Sequence, residues 1–171
     1  MSDNLDYKSF KEKEPIPTFL KVLCILSCIY MGFSLLSNIA SISHGKFSDA
    51  EMLQEREIMA KEIIKFEALD FEYGVTMTRQ LIVLKEILNN NSLKVAILSL
   101  IITFIGLFGV VKMQTGYKIG FHLYIIYSLL YAVQNYMFAS IEYIPSLIVL
   151  FNLLISLIFI VMYSRNLKWL A

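Results

Sequence analysis

The chain has 171 residues, of which 57% belong to the hydrophobic class and only 17% are charged, and its formal net charge is +1. Soluble domains carry about 25% charged residues, so this much apolar surface exceeds what one soluble core of that size hides, whereas a bilayer accepts it. The near-neutral balance excludes whole-molecule attraction to nucleic acid.

Residues 1–17 mix Lys8, Lys11 and Lys13 with Asp3, Asp6, Glu12 and Glu14, and end in Pro15-Ile16-Pro17. Such a stretch favours extended backbone and reads as a short solvated tail. From Thr18 to Ser43 the chain is apolar apart from Lys21. A hydrocarbon core about 30 Å thick needs roughly 20 residues of helix, so 18–43 is the first expected membrane span. A cleaved signal peptide is the competing reading; it fails on length, since a signal's apolar region runs about 7–15 residues. Cys24 and Cys28 lie four apart within this span, where a disulfide would be strained and where two thiols alone make no zinc site. They read as small packing residues.

Residues 44–93 change character. His44 to Asn91 holds six basic and nine acidic residues. Ser48 followed by Glu51 matches a capping box and predicts a helix start. Met52, Met59, Ile63 and Phe66 then share one face. Gly74 is the expected stop, and a second helix is expected over about Thr76–Leu88, with Leu81, Leu84 and Leu88 on one side. Asn89-Asn90-Asn91 closes it, with Ser92 as the expected cap of the next helix. The segment reads as an amphipathic helical hairpin. Asn90-Asn91-Ser92 also fits a glycosylation sequon, which acts only in a eukaryotic secretory pathway.

Three more apolar runs come after the hairpin. Spans are expected at 94–112, 117–141 and 144–163, separated by the turn at Lys112–Gly116 and a tight turn at Glu142-Tyr143. Pro145 suits a helix's first turn. Arg165 and Lys168 stop the fourth span, and Tyr163 and Trp169 read as interfacial anchors before a tail at 164–171. Basic residues cluster in the tails and the short turn at 112–118, whereas the other side carries Glu142 and the acidic hairpin. The positive-inside rule places both termini in the cytoplasm and the hairpin outside it.

The third span carries the candidate site. Gly120, Tyr124, Tyr127 and Tyr131 recur at spacings of four, three and four, with Gln134 and Asn135 beyond them. A tyrosine in hydrocarbon needs a partner for its hydroxyl, so this face is expected to meet other helices. Asn152, with Ser156 one turn on, is placed to bond across to Asn135 or to a tyrosine. Gly116 and Gly120 make a small-xxx-small spacing that permits close approach. His122 stands near the cytoplasmic edge with no second histidine in any span, which reads as a hydrogen-bonded residue rather than a heme ligand. No GxGxxG, P-loop, CxxC or HExxH sequence is present. No catalytic residue, metal site or cofactor is therefore expected, and the chain is not expected to be an enzyme.

Three edge segments carry a resemblance. Pro17-Thr18-Phe19-Leu20-Lys21-Val22-Leu23-Cys24-Ile25-Leu26-Ser27 resembles the "PTFLTVLCIL" opening of a group of small four-span bacterial membrane proteins, with Lys21 where that group has threonine. Tyr163-Ser164-Arg165-Asn166-Leu167-Lys168 is similar to its "Y-x-x-NLK" ending, and Lys112–Tyr117 to its "K-x-x-TG-aromatic" hairpin. The resemblance implies four spans and a bacterial inner membrane, and brings no activity or functional residue.

The expectation is thus an all-α integral membrane protein: a four-helix transmembrane bundle with an amphipathic helical hairpin between spans 1 and 2. Its expected role is non-catalytic, as an accessory or assembly subunit working through lipids and through a protein partner or second copy held by the 44–93 hairpin. The alternative is a small oligomeric channel or transporter lined by Tyr124, Tyr127, Tyr131, Gln134, Asn135 and Asn152.

Overall fold

Pro17, held at φ −56° and ψ 141°, ends the extended approach, and its carbonyl accepts the Lys21 N–H at 3.1 Å. Helix α1 (Thr18–His44) starts there in the computed structural model, which describes residues 16–170. It ends at Gly45, whose φ of 77° is open to a residue without a Cβ. Helices α2 (Asp49–Ala68), α3 (Glu72–Asn90), α4 (Ser92–Gln114), α5 (Ile119–Val133) and α6 (Ser146–Ser164) come next in chain order, with 3-10 turns at Gln134–Met137, Ile141–Tyr143 and Leu167–Trp169. No strand occurs among the described residues, and the fold is all-α. The expectations for residues 1–15, including the tail charges, lie outside the described residues.

The capping box at Ser48 is formed. Glu51 N–H donates to Ser48 Oγ at 3.3 Å, and Ser48 N–H donates to Glu51 Oε2 at 2.7 Å. The helix stop differs from the expectation. α2 ends in a Schellman arrangement with Asp70 in the left-handed region at φ 55°. Phe71 N–H reaches back to Phe66 O at 2.9 Å and Asp70 N–H to Glu67 O at 3.1 Å, and the Phe66 and Phe71 rings meet edge to face at 5.6 Å, the hydrophobic contact that accompanies this motif. Gly74 is no stop. It is buried in the first turn of α3, where a Cβ would come within 2.5 Å of the Phe71 ring. α3 consequently runs longer at both ends than Thr76–Leu88.

The stripe Met52, Met59, Ile63 and Phe66 is half-buried on α2, which packs against α3. Arg56–Glu86 (2.8 Å), Lys85–Glu55 (2.5 Å) and Arg79–Glu67 (3.4 Å) bridge the two helices. Exposed pairs of this kind contribute at most about 1 kcal/mol each, so the apolar stripe is the main tie. α3 also rests on the connection between α5 and α6. Leu84 joins Ala139 and Ile144 in a small core, and Gln80 Nε2 donates to Glu142 O at 2.7 Å.

A single residue, Asn91, separates α3 from α4. Ser92 does not cap. It is the first residue of α4, and Asn91 Nδ2 instead closes the preceding turn on Ile87 O at 2.9 Å. Just before it, the buried Asn89 side chain satisfies both backbone groups of Phe47, accepting its N–H at 2.8 Å and donating to its carbonyl at 3.2 Å. Two chain connections are thereby clamped together.

α4 sits between α1 and α5. Gly116, at φ 84°, makes the turn, and the close contact is Gly120 against Gly109 of the facing helix rather than Gly116 with Gly120 on one face. A Cβ at Gly109 would stand 2.9 Å from Gly120 O. The main core gathers Leu20, Leu23, Cys24, Met31, Val110, Met113, Tyr124, Tyr127 and Tyr163. Cys24 is buried within it as a free thiol.

The third apolar run is not one helix to Ile141. The α-helix stops at Val133 and tightens into the 3-10 turn Gln134–Met137, where Gln134 Oε1 accepts from Ser99 Oγ of α4 at 3.0 Å and Asn135 O accepts the N–H groups of Phe138 and Ala139. The turn to α6 therefore occupies residues 138–145, wider than Glu142-Tyr143 alone, and Pro145 stands just before the helix. α1, α4 and α6 are long and apolar enough to cross a membrane. Their outer faces leave Phe33 70%, Leu36 66% and Leu157 60% exposed.

Candidate functional site

A cavity of about 200 Å³ lies where α1, α5 and α6 meet. Its deep wall is Ser27, Met31, Tyr124 and Tyr127, all buried, and its α6 wall is Asn152, Ile155, Ser156 and Phe159. The 3.6-residue repeat of α5 puts Tyr124, Tyr127 and Tyr131 on one stripe aimed at these neighbours. The expected residues Tyr124, Tyr127, Tyr131 and Asn152 are therefore brought together. Gln134 and Asn135 are not: Gln134 faces Ser99 of α4, and Asn135 stands on the 3-10 turn beyond the stripe.

The tyrosines form a ring stack. Tyr127 lies 5.7 Å from Tyr124 and 5.9 Å from Tyr131, and Tyr124 meets Tyr163 edge-on at 4.8 Å. Tilted and edge-on pairs are the favoured aromatic geometries. The stack closes over α4 because Gly106 leaves room for it: a Cβ there would fall 2.7 Å from the Tyr127 ring and 2.8 Å from Met31 Cε. Hydrogen bonds tie the stack to α1. Tyr30 Oη donates to Tyr131 Oη at 3.1 Å, and Ser27 Oγ and Tyr163 Oη share a hydrogen bond of 2.8 Å.

Tyr163 is the main departure from its expected role. It is fully buried, not an anchor at an edge. The sequence alone assigns Tyr30, Ser27 and Tyr163 no part in the site. Ser27, Tyr30 and Ser34 do recur at spacings of three and four, the one signal that α1 has a polar face turned inward. Asn152 makes none of the described hydrogen bonds to Asn135 or to a tyrosine; it faces the cavity instead.

Other hollows lie elsewhere on the molecule. A shallow groove of about 400 Å³ runs past Tyr30, Ser34, Asn38, Tyr131 and Gln134. A larger hollow of about 440 Å³ lies between the end of α1, the hairpin and the start of α4, with Lys85 in its wall already paired to Glu55. His122 Nδ1 lies 3.1 Å from the O of Lys118, the residue just before its helix. No group of three or more His, Cys, Asp or Glu side chains able to hold a metal occurs among the described residues.

Outside the apolar helices, two side chains among the described residues are electrostatically tuned. The Ser48 backbone N–H and then its hydroxyl hold the Glu51 carboxyl below its usual range, whereas neighbouring Glu142 pushes the Tyr143 phenol up. Both belong to the acidic end of the molecule and neither faces the tyrosine cavity. No family model, curated protein or solved structure matches the chain.

Proposed function

We propose that this chain is a four-span, non-catalytic membrane protein that acts through contacts, as an accessory or assembly subunit of a bacterial inner membrane. α1, α4 and α6 supply three spans, and α5 with the 3-10 turn after it supplies the fourth. Fifteen α-helical residues rise about 22 Å and four 3-10 residues about 8 Å, together about the 30 Å of hydrocarbon. The observation that carries the contact reading is the hairpin. It is folded, docked through Leu84 and Gln80, and exposes Leu53, Ile58 and Ile64 on its outer side among acidic residues.

Charge supports an orientation with both termini in the cytoplasm. Among the described residues, the helix ends and short connections at one end of the bundle carry Lys21, Lys112, Lys118, Arg165 and Lys168, whereas the short α5–α6 connection at the other end carries no basic residue. The channel reading is less favoured, because Tyr124, Tyr127 and Tyr131 pack against each other and against α1 and α6.

Copurification in mild detergent tests the contact reading. A stoichiometric foreign partner that is lost when residues 49–90 are replaced by a flexible linker is the expected result. A homo-oligomer that passes solute in liposomes, and stops doing so in Tyr127→Ala, would replace it with the pore.

A further inference from the structure

Three side-chain polar groups in the tyrosine cavity have no hydrogen-bond partner among the described residues. None of the described hydrogen bonds uses the Tyr127 hydroxyl, the Asn152 amide or the Ser156 hydroxyl. The buried, partnerless side-chain atoms among the described residues are elsewhere, at Asn38 Nδ2 and Ser128 Oγ. The three groups are thus not sealed in packing, and their residues line the cavity. Polar groups at bilayer depth without a partner are costly, and these three converge from two helices on one space.

The cavity is also sided. Ser27, Met31, Tyr124 and Tyr127 close its floor, whereas Leu26, Tyr30 and Ile155 at its rim are each about half exposed. It opens laterally between α1 and α6. α6 packs along α5 and reaches α1 through Tyr163 at one end, which leaves the gap beside Leu26 and Ile155. Among the described residues no Asp, Glu, Lys, Arg or His lines it, so its described wall has nothing to neutralise a charged head.

We infer that this cavity is a lateral binding site for an uncharged lipid whose head carries a hydroxyl or carbonyl oxygen, bonded by Tyr127, Asn152 and Ser156, with its chain leaving between α1 and α6. The inference rests on the reading of α1 and α6 as membrane spans. A neutral diacylglycerol and a long-chain alcohol share this chemistry; a fatty acid anion and an alkane lack one half of it.

The test is saturable binding of radiolabelled diolein, 1-hexadecanol, oleate and hexadecane to the full chain in phosphatidylcholine nanodiscs, after the chain has been located by fractionation of cell membranes. One equivalent of diolein or of hexadecanol should bind, and oleate and hexadecane should not; which of the first two binds tells the source of the oxygen head. Tyr127→Phe with Asn152→Leu should weaken binding at least tenfold while keeping the elution volume and helicity of the parent. Leu26→Trp, which fills the rim and leaves every polar group in place, should abolish it. Equal binding by parent and both variants, or no saturable binding of either oxygen-headed probe, overturns the site. A chain found in the supernatant before purification overturns the membrane reading itself, so the two failures are distinguishable.

Discussion

Ser27 and Tyr163 stand 136 positions apart in the chain, and their hydroxyl oxygens meet 2.8 Å apart in the buried core. This bond joins the first long helix to the last. Interhelical bonds of this kind are worth about 0.6–2 kcal/mol in a membrane, more when a hydroxyl is left unpaired by removing its partner. Ser27→Ala and Tyr163→Phe should each cost about 1–2 kcal/mol in detergent melting, and the double variant little more than either alone. Additive losses would show that the two hydroxyls are not coupled.

Glycines differ in what they permit. At Gly120 a Cβ would run into the backbone of Gly109 and Met113, whereas at Gly32 it would meet nothing within 4 Å. Gly120→Val should cost about 3 kcal/mol or more, because backbone cannot yield as a side chain can. Gly32→Ala should be neutral or stabilise by about 0.5–1 kcal/mol through helix propensity. Melting temperatures of the two proteins should therefore move in opposite directions or diverge widely.

The Asn89 side chain holds both backbone groups of Phe47. Asn89→Leu keeps the volume and removes both bonds, at about 1–3 kcal/mol for the buried groups left unmade. Limited proteolysis should then cut between residues 45 and 49 several times faster than in the parent, with the core helices unaffected. Unchanged cleavage would mean that the α1–α2 connection is fixed by other contacts.

The start of α2 should respond to acid. Glu51 is held below the ordinary carboxylate range by the Ser48 N–H and hydroxyl that it accepts. A carboxylate lowered in the folded state contributes stability that is present above the unfolded pKa and lost as pH falls through the folded one. Exchange of the amides of residues 48, 51 and 52 should accelerate as the pH falls through and below the usual glutamate range, beyond the intrinsic pH trend, and in Glu51→Ala it should be fast at every pH. A Glu51→Ala protein that exchanges as slowly as the parent at neutral pH would remove the capping box as the cause.

Sequence patterning exposes much of this architecture and misses its cross-chain details. The apolar run after Pro17, the Ser48-x-x-Glu51 start and the Met52–Phe66 stripe each report a local rule, and each is found in the helix it implies. The tyrosine stripe of α5 is legible because 3.6-residue spacing needs no tertiary information. The errors occur where the deciding partner is distant. Gly74 reads as a stop until the Phe66 and Phe71 rings are folded over it. The apolar run to Ile141 reads as one helix until Gln134 finds Ser99. Tyr163 looks like an edge anchor until Ser27 comes across from α1. No local pattern encodes those pairings.

In the membrane bundle proposed above, whether α5 crosses the bilayer decides between four spans and three, and the two counts put the C-terminus on opposite sides relative to the hairpin. A membrane-impermeant maleimide applied to intact cells reads this directly in single-cysteine variants, Asp70→Cys and Ala171→Cys, made with both native cysteines replaced by alanine. Four spans require Asp70→Cys to be labelled from outside and Ala171→Cys only after the cells are opened. Labelling of both positions from outside would contradict the four-span bundle and leave α5 lying within one leaflet.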